Sequence, residues 1–311
     1  MSTATAGHTL ATGTTLASKF GSFGIANKRM IKPLERLFGH IFGRANSGKT
    51  SLFSGYPGAL IINCDGSSTP VPSADAPPPV AQFFPGFNDA GQPVGVDGQS
   101  LILNWAAIEK LRDSLIEAAV ANRPRPTTIV LDSVMSAMAL IKAHLVEIDK
   151  VKPNRQHVKE WTDLHGEAAW ESLYSRLAQF ASSLLPHYGV WFITHLSDKF
   201  RTDGGVERKV LELTTPPGFL PRFNPLFELA IGTEARLSPK TEETVTMFQG
   251  KPLINKVTVM NKKVFLTGET PDLVNIYKHR IALPISLELP PGKEWDTLAE
   301  AYRKAAEPKV G

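Results

Sequence analysis

The chain has 311 residues, 42% hydrophobic and 21% charged, with a formal net charge of +4 and a sequence pI near 9.0. That length suits one large α/β domain or two small ones, and the mild basicity permits a nucleic-acid partner without requiring one. Cys64 is the only cysteine, which excludes an internal disulfide and zinc centres built from several cysteines and fits a reducing compartment.

In chain order, residues 1–24 are rich in Thr, Ser, Ala and Gly, and a flexible arm that orders only against a partner is expected. Leu37 to Phe42 is a short apolar run, predicting a buried strand that leads directly into "GRANSGKT", Gly43 to Thr50. "SLFSG" starts a short helix, which Gly55 and Pro57 end. "GALIINCDG" is a second apolar strand ending at Asp65. Residues 67–99 are rich in proline and small residues and show no period, so an insertion or flexible lid is expected there. An amphipathic helix follows, with Leu101, Trp105, Ile108, Leu111, Leu115 and Ile116 on one broad face.

"TTIVLDS" is the next strand, with the carboxylate of Asp132 at its end. "VMSAMALIKAHLVEIDK" predicts a helix, "VKPNRQHVKEWTDLHG" a polar, basic connection, and "EAAWESLYSRLAQFASSLLPHY" a further helix. "GVWFITHLSDK" is a strand with His195 at its exit, followed by a charged hairpin whose turn is Asp-Gly-Gly. "LFELAIGTEA" and "KVFLTG" predict further strands, and "EWDTLAEAYRKAAE" a helix. Apolar strands alternating with helices imply an α/β fold, a mostly parallel central sheet covered by helices on both faces. The expected organisation is an arm (1–24), a domain at 25–270 carrying the 67–99 insertion, and an extension with a helix (271–311). No apolar run approaches the roughly 20 residues that span a bilayer, and no secretory signal is seen, so a cytoplasmic location is expected.

Gly43, Gly48, Lys49 and Thr50 fit the spacing G-x-x-x-x-G-K-[ST]. A loop that wraps its amides around phosphates needs glycine for its turns and for close approach. Gly43, Arg44, Ala45, Asn46, Ser47, Gly48, Lys49, Thr50 and Ser51 therefore form the candidate nucleotide-binding set. Lys49 would reach the outer phosphates, and Thr50 would offer its hydroxyl to Mg2+. Asp132 either shares that ion with Thr50 or caps the helix that follows it. Asp65 either activates water or caps a turn, and His195 either senses the outer phosphate or is a satisfied histidine at the edge of the core. Lys49, Asp65, Asp132 and His195 are the candidate catalytic residues.

The set "GRANSGKT", "IINCDG", "TIVLDS" and "VWFITH", in that order, resembles the RecA-like P-loop ATPases carried by bacteriophages, compact relatives of the RecA and Rad51 core, some of which are single-strand annealing proteins. The resemblance spans about Lys32 to Gly268. It implies a RecA-like P-loop NTPase fold, ATP and Mg2+ as cofactors, ATP hydrolysis stimulated by DNA, and a ring or filament of identical chains. Two positions depart from the family: His195 stands where recombinases carry a glutamine, and Asp65 near where they carry a glutamate. The resemblance also implies a single-stranded DNA channel lined by two segments that are basic here. One holds Lys142, Lys150, Lys152, Arg155 and Lys159, and the other Lys199, Phe200, Arg201, Arg208 and Lys209. Acidic neighbours dilute both clusters, and Arg208 or Lys209 could instead reach a neighbouring subunit's nucleotide. A loader-like or packaging-like motor, and a nucleotide binder with little turnover, remain open alternatives.

Overall fold

The structure, a computed structural model, describes residues 32–65, 79–83, 86–87, 93–94, 99–164, 166–203, 206–248, 251–267, 278–279, 283–284 and 286–307. The 1–24 arm lies outside them. Residues 33–311 fall in one compact unit.

Its strands are β1 (Phe38–Gly43), β2 (Ala59–Asn63), β3 (Val80–Gln82), β4 (Gly86–Phe87), β5 (Pro93–Val94), β6 (Thr128–Asp132), β7 (Gly189–Asp203), β8 (Val206–Leu213), β9 (Leu229–Phe248), β10 (Lys251–Thr267), β11 (Lys278–His279) and β12 (Leu287–Leu289). The helices are α1 (Ser51–Ser54), α2 (Leu101–Val120), α3 (Val134–Lys150), α4 (Gly166–Leu184), α5 (Phe219–Phe223) and α6 (Glu294–Ala306).

The main sheet runs β12-β10-β9-β1-β7-β6-β2-β3. From β9 to β3 every neighbour is parallel, whereas β10 and β12 join antiparallel. This is an α/β architecture, a largely parallel sheet flanked by helices on both faces. Every residue of β1 and β6 is buried, as parallel strands covered on both faces require. Side-chain alternation divides the core. Phe38, Ile129, Leu131, Val190 and Phe192 face α2, α3, α4 and α5. Ile41, Ile61, Val130, Trp191 and Ile193 face Leu52 and Phe53 of α1 and Trp295, Leu298 and Tyr302 of α6. The 271–311 segment thus supplies β12 and α6 to the same compact unit.

Three expectations gain detail. Within 67–99, Val80–Gln82 extends the parallel sheet beside β2, and Gly86–Phe87 pairs with Pro93–Val94. The strands expected at 226–235 and 263–268 belong to one long antiparallel ribbon, paired from Gly232↔Thr267 to Phe248↔Lys251. The expected charged hairpin is present: β7 runs on past His195 and pairs with β8, from Leu196↔Leu213 to Asp203↔Val206. The two glycines of its turn lie outside the described residues. Among the described residues no helix is long and apolar enough to cross a membrane.

Candidate functional site

The glycine loop leaves β1 at Gly43 and enters α1 at Thr50. A Cβ on Gly43 would sit 2.6 Å from the Thr233 carbonyl and also strike Ser47 Oγ, so no larger residue fits. Gly48 has φ 89°, a left-handed conformation that glycine adopts without strain, and Asn46 has φ 60°. The Ser47 amide donates to the Arg44 carbonyl at 3.2 Å, and the Ser47 and Thr233 hydroxyls share a 2.9 Å hydrogen bond. Lys49 is buried, donating to the carbonyls of Gly43 at 3.1 Å and Arg44 at 2.7 Å. The ammonium is therefore held inside the loop it would serve. Arg44, Ala45 and Asn46 are exposed, and Ser51 is half-buried. α1 spans only four residues, so its dipole is small and any anion would rest mainly on the loop amides and Lys49.

One strand, β7, separates β1 from β6. Register sets His195 and Thr233 level with Gly43 on either side, and Asn63 level with Asp132. Thr50 donates its hydroxyl to Asp132 Oδ2 at 2.6 Å. A hydroxyl and a carboxylate side by side are hard oxygen donors that fit Mg2+. Asp132 is followed by Ser133, whose hydroxyl accepts from the Ser136 amide. The helix cap is thus Ser133, which leaves Asp132 to the strand end.

Asp65, Asp132 and His195 converge, with one ligand atom from each lying within 4.8 Å of the others. His195 Nε2 is 3.6 Å from Asp65 Oδ2. The amide of Cys64 donates to the Asp132 carbonyl, tying the two strand ends together. Burial, then the charges of Asp132 and Asp65, push the Cys64 thiol well above its usual range, so it stays protonated and unreactive. Behind the site His40 is fully buried, and burial lowers its pKa to about 3. Its Nε2 lies 2.8 Å from Thr194 Oγ1, while Nδ1 has no hydrogen-bond partner. Nε2–H donating to Thr194 is the cheaper arrangement, since it leaves an acceptor rather than a donor unmet.

Two groups escaped the sequence reading. Thr233 braces the loop from β9, and Asp198 in the hairpin accepts from Arg44 at 2.6 Å. The apolar run ending in Gly232–Thr233 was the only available signal for the first. Opposite charges far apart in sequence gave none for the second.

The expected DNA-facing side chains are mostly engaged. Lys150 pairs with Glu147, and Lys152 and Arg155 with Asp149. Lys199 and Arg201 pair with Glu212, and Lys209 with Asp198. Lys142 lies over the rings of Trp161 and Trp170, and burial lowers its pKa. Lys159 is exposed, Phe200 is 65% exposed, and the Arg208 side chain lies outside the described residues.

No curated protein matches the chain significantly. The AAA domain family matches residues 36–255, a span that takes in the glycine loop, Asp65, Asp132, His195 and the whole β7–β8 hairpin. The match extends over more than two-thirds of the 311 residues, and the chain belongs to the AAA domain family of P-loop NTPases.

Proposed function

We propose that this P-loop NTPase is a RecA-like protein that binds ATP with Mg2+, hydrolyses it, and acts on single-stranded DNA in phage recombination or annealing. The observation that carries the proposal is the course of β7. It passes between the phosphate-loop strand and the Asp132 strand, brings His195 level with Gly43, and runs without a break into a hairpin bearing Lys199, Phe200, Arg201 and Lys209. A change at the outer phosphate thus has a single strand through which to reach the hairpin.

The loop amides and Lys49 would hold the phosphates, and Thr50 with Asp132 would hold Mg2+. When bound, that ion would neutralise charge on the outer phosphates. Asp65, with His195 Nε2 at 3.6 Å beside it, would orient or deprotonate the attacking water. The exposed Phe200 offers a ring on which a base would stack, worth about 1–3 kcal/mol per base.

The pairing of Lys199, Arg201 and Lys209 with carboxylates favours a second reading, in which the hairpin meets a protein partner. The deciding test is the ATP hydrolysis rate alone, with single-stranded DNA and with duplex, at two salt concentrations. Stimulation by single strands that fades with salt is expected. Stimulation by neither nucleic acid would reject the DNA role. Lys49→Ala and Asp132→Ala should each lower nucleotide affinity or turnover at least tenfold, and two unchanged variants would reject the site assignment.

A further inference from the structure

Asp65, Asp132 and His195 form a donor set that phosphate binding does not require. It contains two carboxylates from the exits of β2 and β6 and one imidazole from within β7, brought to within 4.8 Å of one another. Sheet alternation makes this convergence systematic. Asp132 continues the face of Val130, and His195 the face of Trp191 and Ile193, so both project toward the α1 side of the sheet. Asp65 follows two residues after Asn63, which lies level with Asp132. The backbone bond from Cys64 to Asp132 fixes that approach.

Ligands held about 2.0–2.2 Å from a common ion lie roughly 3–4.4 Å apart. The His195–Asp65 separation of 3.6 Å is already inside that window, and the full set needs only a slight closure. Asp132 is 1% exposed, while the Asp65 and His195 side chains are 15% and 28% exposed, so the set has a buried floor and an open side. An imidazole in place of an oxygen changes which ion is preferred. Mg2+ takes oxygen ligands and keeps its waters, whereas a mixed carboxylate–imidazole set suits Mn2+ and its first-row neighbours.

We propose that Asp65, Asp132 and His195 bind a divalent first-row transition ion, typified by Mn2+, beside the phosphate loop and without need of nucleotide. The site shares Asp132 with the Mg2+ role proposed above, and Asp65 and His195 with the proposed water-activating role.

The test uses the metal-stripped, nucleotide-free full chain with Mn2+ alone. Binding is read from the electron paramagnetic resonance signal of free Mn2+, and ligation from nitrogen-14 modulation of the bound ion's spin echo. The expected result is one bound Mn2+ carrying imidazole-type nitrogen coupling, with Mg2+ competing at least tenfold more weakly. His195→Gln should abolish the coupling and weaken Mn2+ at least tenfold, and Asp65→Asn should weaken it similarly. Mn2+ bound without nitrogen coupling would assign the ion to the oxygen pair of Thr50 and Asp132 and overturn the proposal. Failure to bind Mn2+ in the absence of nucleotide would overturn it too. ATP binding with Mg2+, measured on the same preparation, separates the two ideas: if it persists while nitrogen coupling is absent, only the transition-ion site falls.

Discussion

His40 shows how a single residue ties the site to the acid stability of the fold. It sits in β1 with its ring stacked on Phe227 and its Nε2 on Thr194, the residue before His195. Its folded pKa of about 3 lies below the unfolded value near 6.5, so the unfolded chain binds the extra proton between those two values. The His40 contribution is therefore fully present above about pH 6.5 and is lost as pH falls toward 3, at roughly 1 kcal/mol per pH unit. Urea unfolding from pH 7 to pH 5 should show this loss, and His40→Gln should flatten that part of the profile. The loop from Gly43 to Thr50 was legible in the sequence because its tight turns depend on glycines at local spacing. The environment of His40 was not, because its burial depends on Phe219 and Phe227, far along the chain.

Among the elements, the β7–β8 hairpin and α6 each touch the phosphate-loop region from outside. Asp198 of the hairpin accepts from Arg44 of the loop and pairs with Lys209 at 2.8 Å. The Lys209 hydrogen bond, helped by Arg44, holds its carboxyl below the usual range. Exposed ion pairs add little to global stability, so Asp198→Ala should leave Tm almost unchanged. It should nevertheless release the hairpin from the loop, seen as faster amide hydrogen exchange across residues 196–213. On the opposite side Trp295 stacks on Tyr56 at 4.5 Å and packs against Phe53 and Trp191. Trp295→Ala should cost about 3–5 kcal/mol in denaturant unfolding, because the cavity opens at a closed aromatic cluster. Periodicity revealed most helices and core strands. It missed the β9–β10 ribbon, where "SPKTEET" shows no alternation of apolar residues and carries a proline, so the sequence offered no strand signal there.

For the whole molecule, the sheet order decides which strand ends become neighbours. The sequence placed Asp65, Asp132 and His195 at strand ends, and a parallel sheet puts such ends on one edge. Only the order β1-β7-β6-β2 brings these three within reach of one another. The net charge of +4 is likewise a poor guide to the field at the hairpin, because Lys199, Arg201 and Lys209 already have carboxylate partners. The Lys199 hydrogen bond, with that of Arg201, keeps the Glu212 carboxyl below its usual range, so it remains a counter-ion at neutral pH. Glu212→Gln should free both cations. If single-stranded DNA lies along the hairpin, fluorescence anisotropy should then show several-fold tighter binding and a steeper salt dependence. Unchanged affinity would place the strand elsewhere.

The packing of α6 against α1 also has a consequence in time. Protein synthesis adds roughly 5–20 residues per second, so more than ten seconds separate the emergence of Phe53 from that of Trp295. Throughout that interval Phe53 and Tyr56, joined partway by Trp191, lack the helix that covers them. The nascent chain thus makes its phosphate loop early but finishes the wall behind it late. Until then an aromatic surface is open to chaperones or to neighbouring nascent chains.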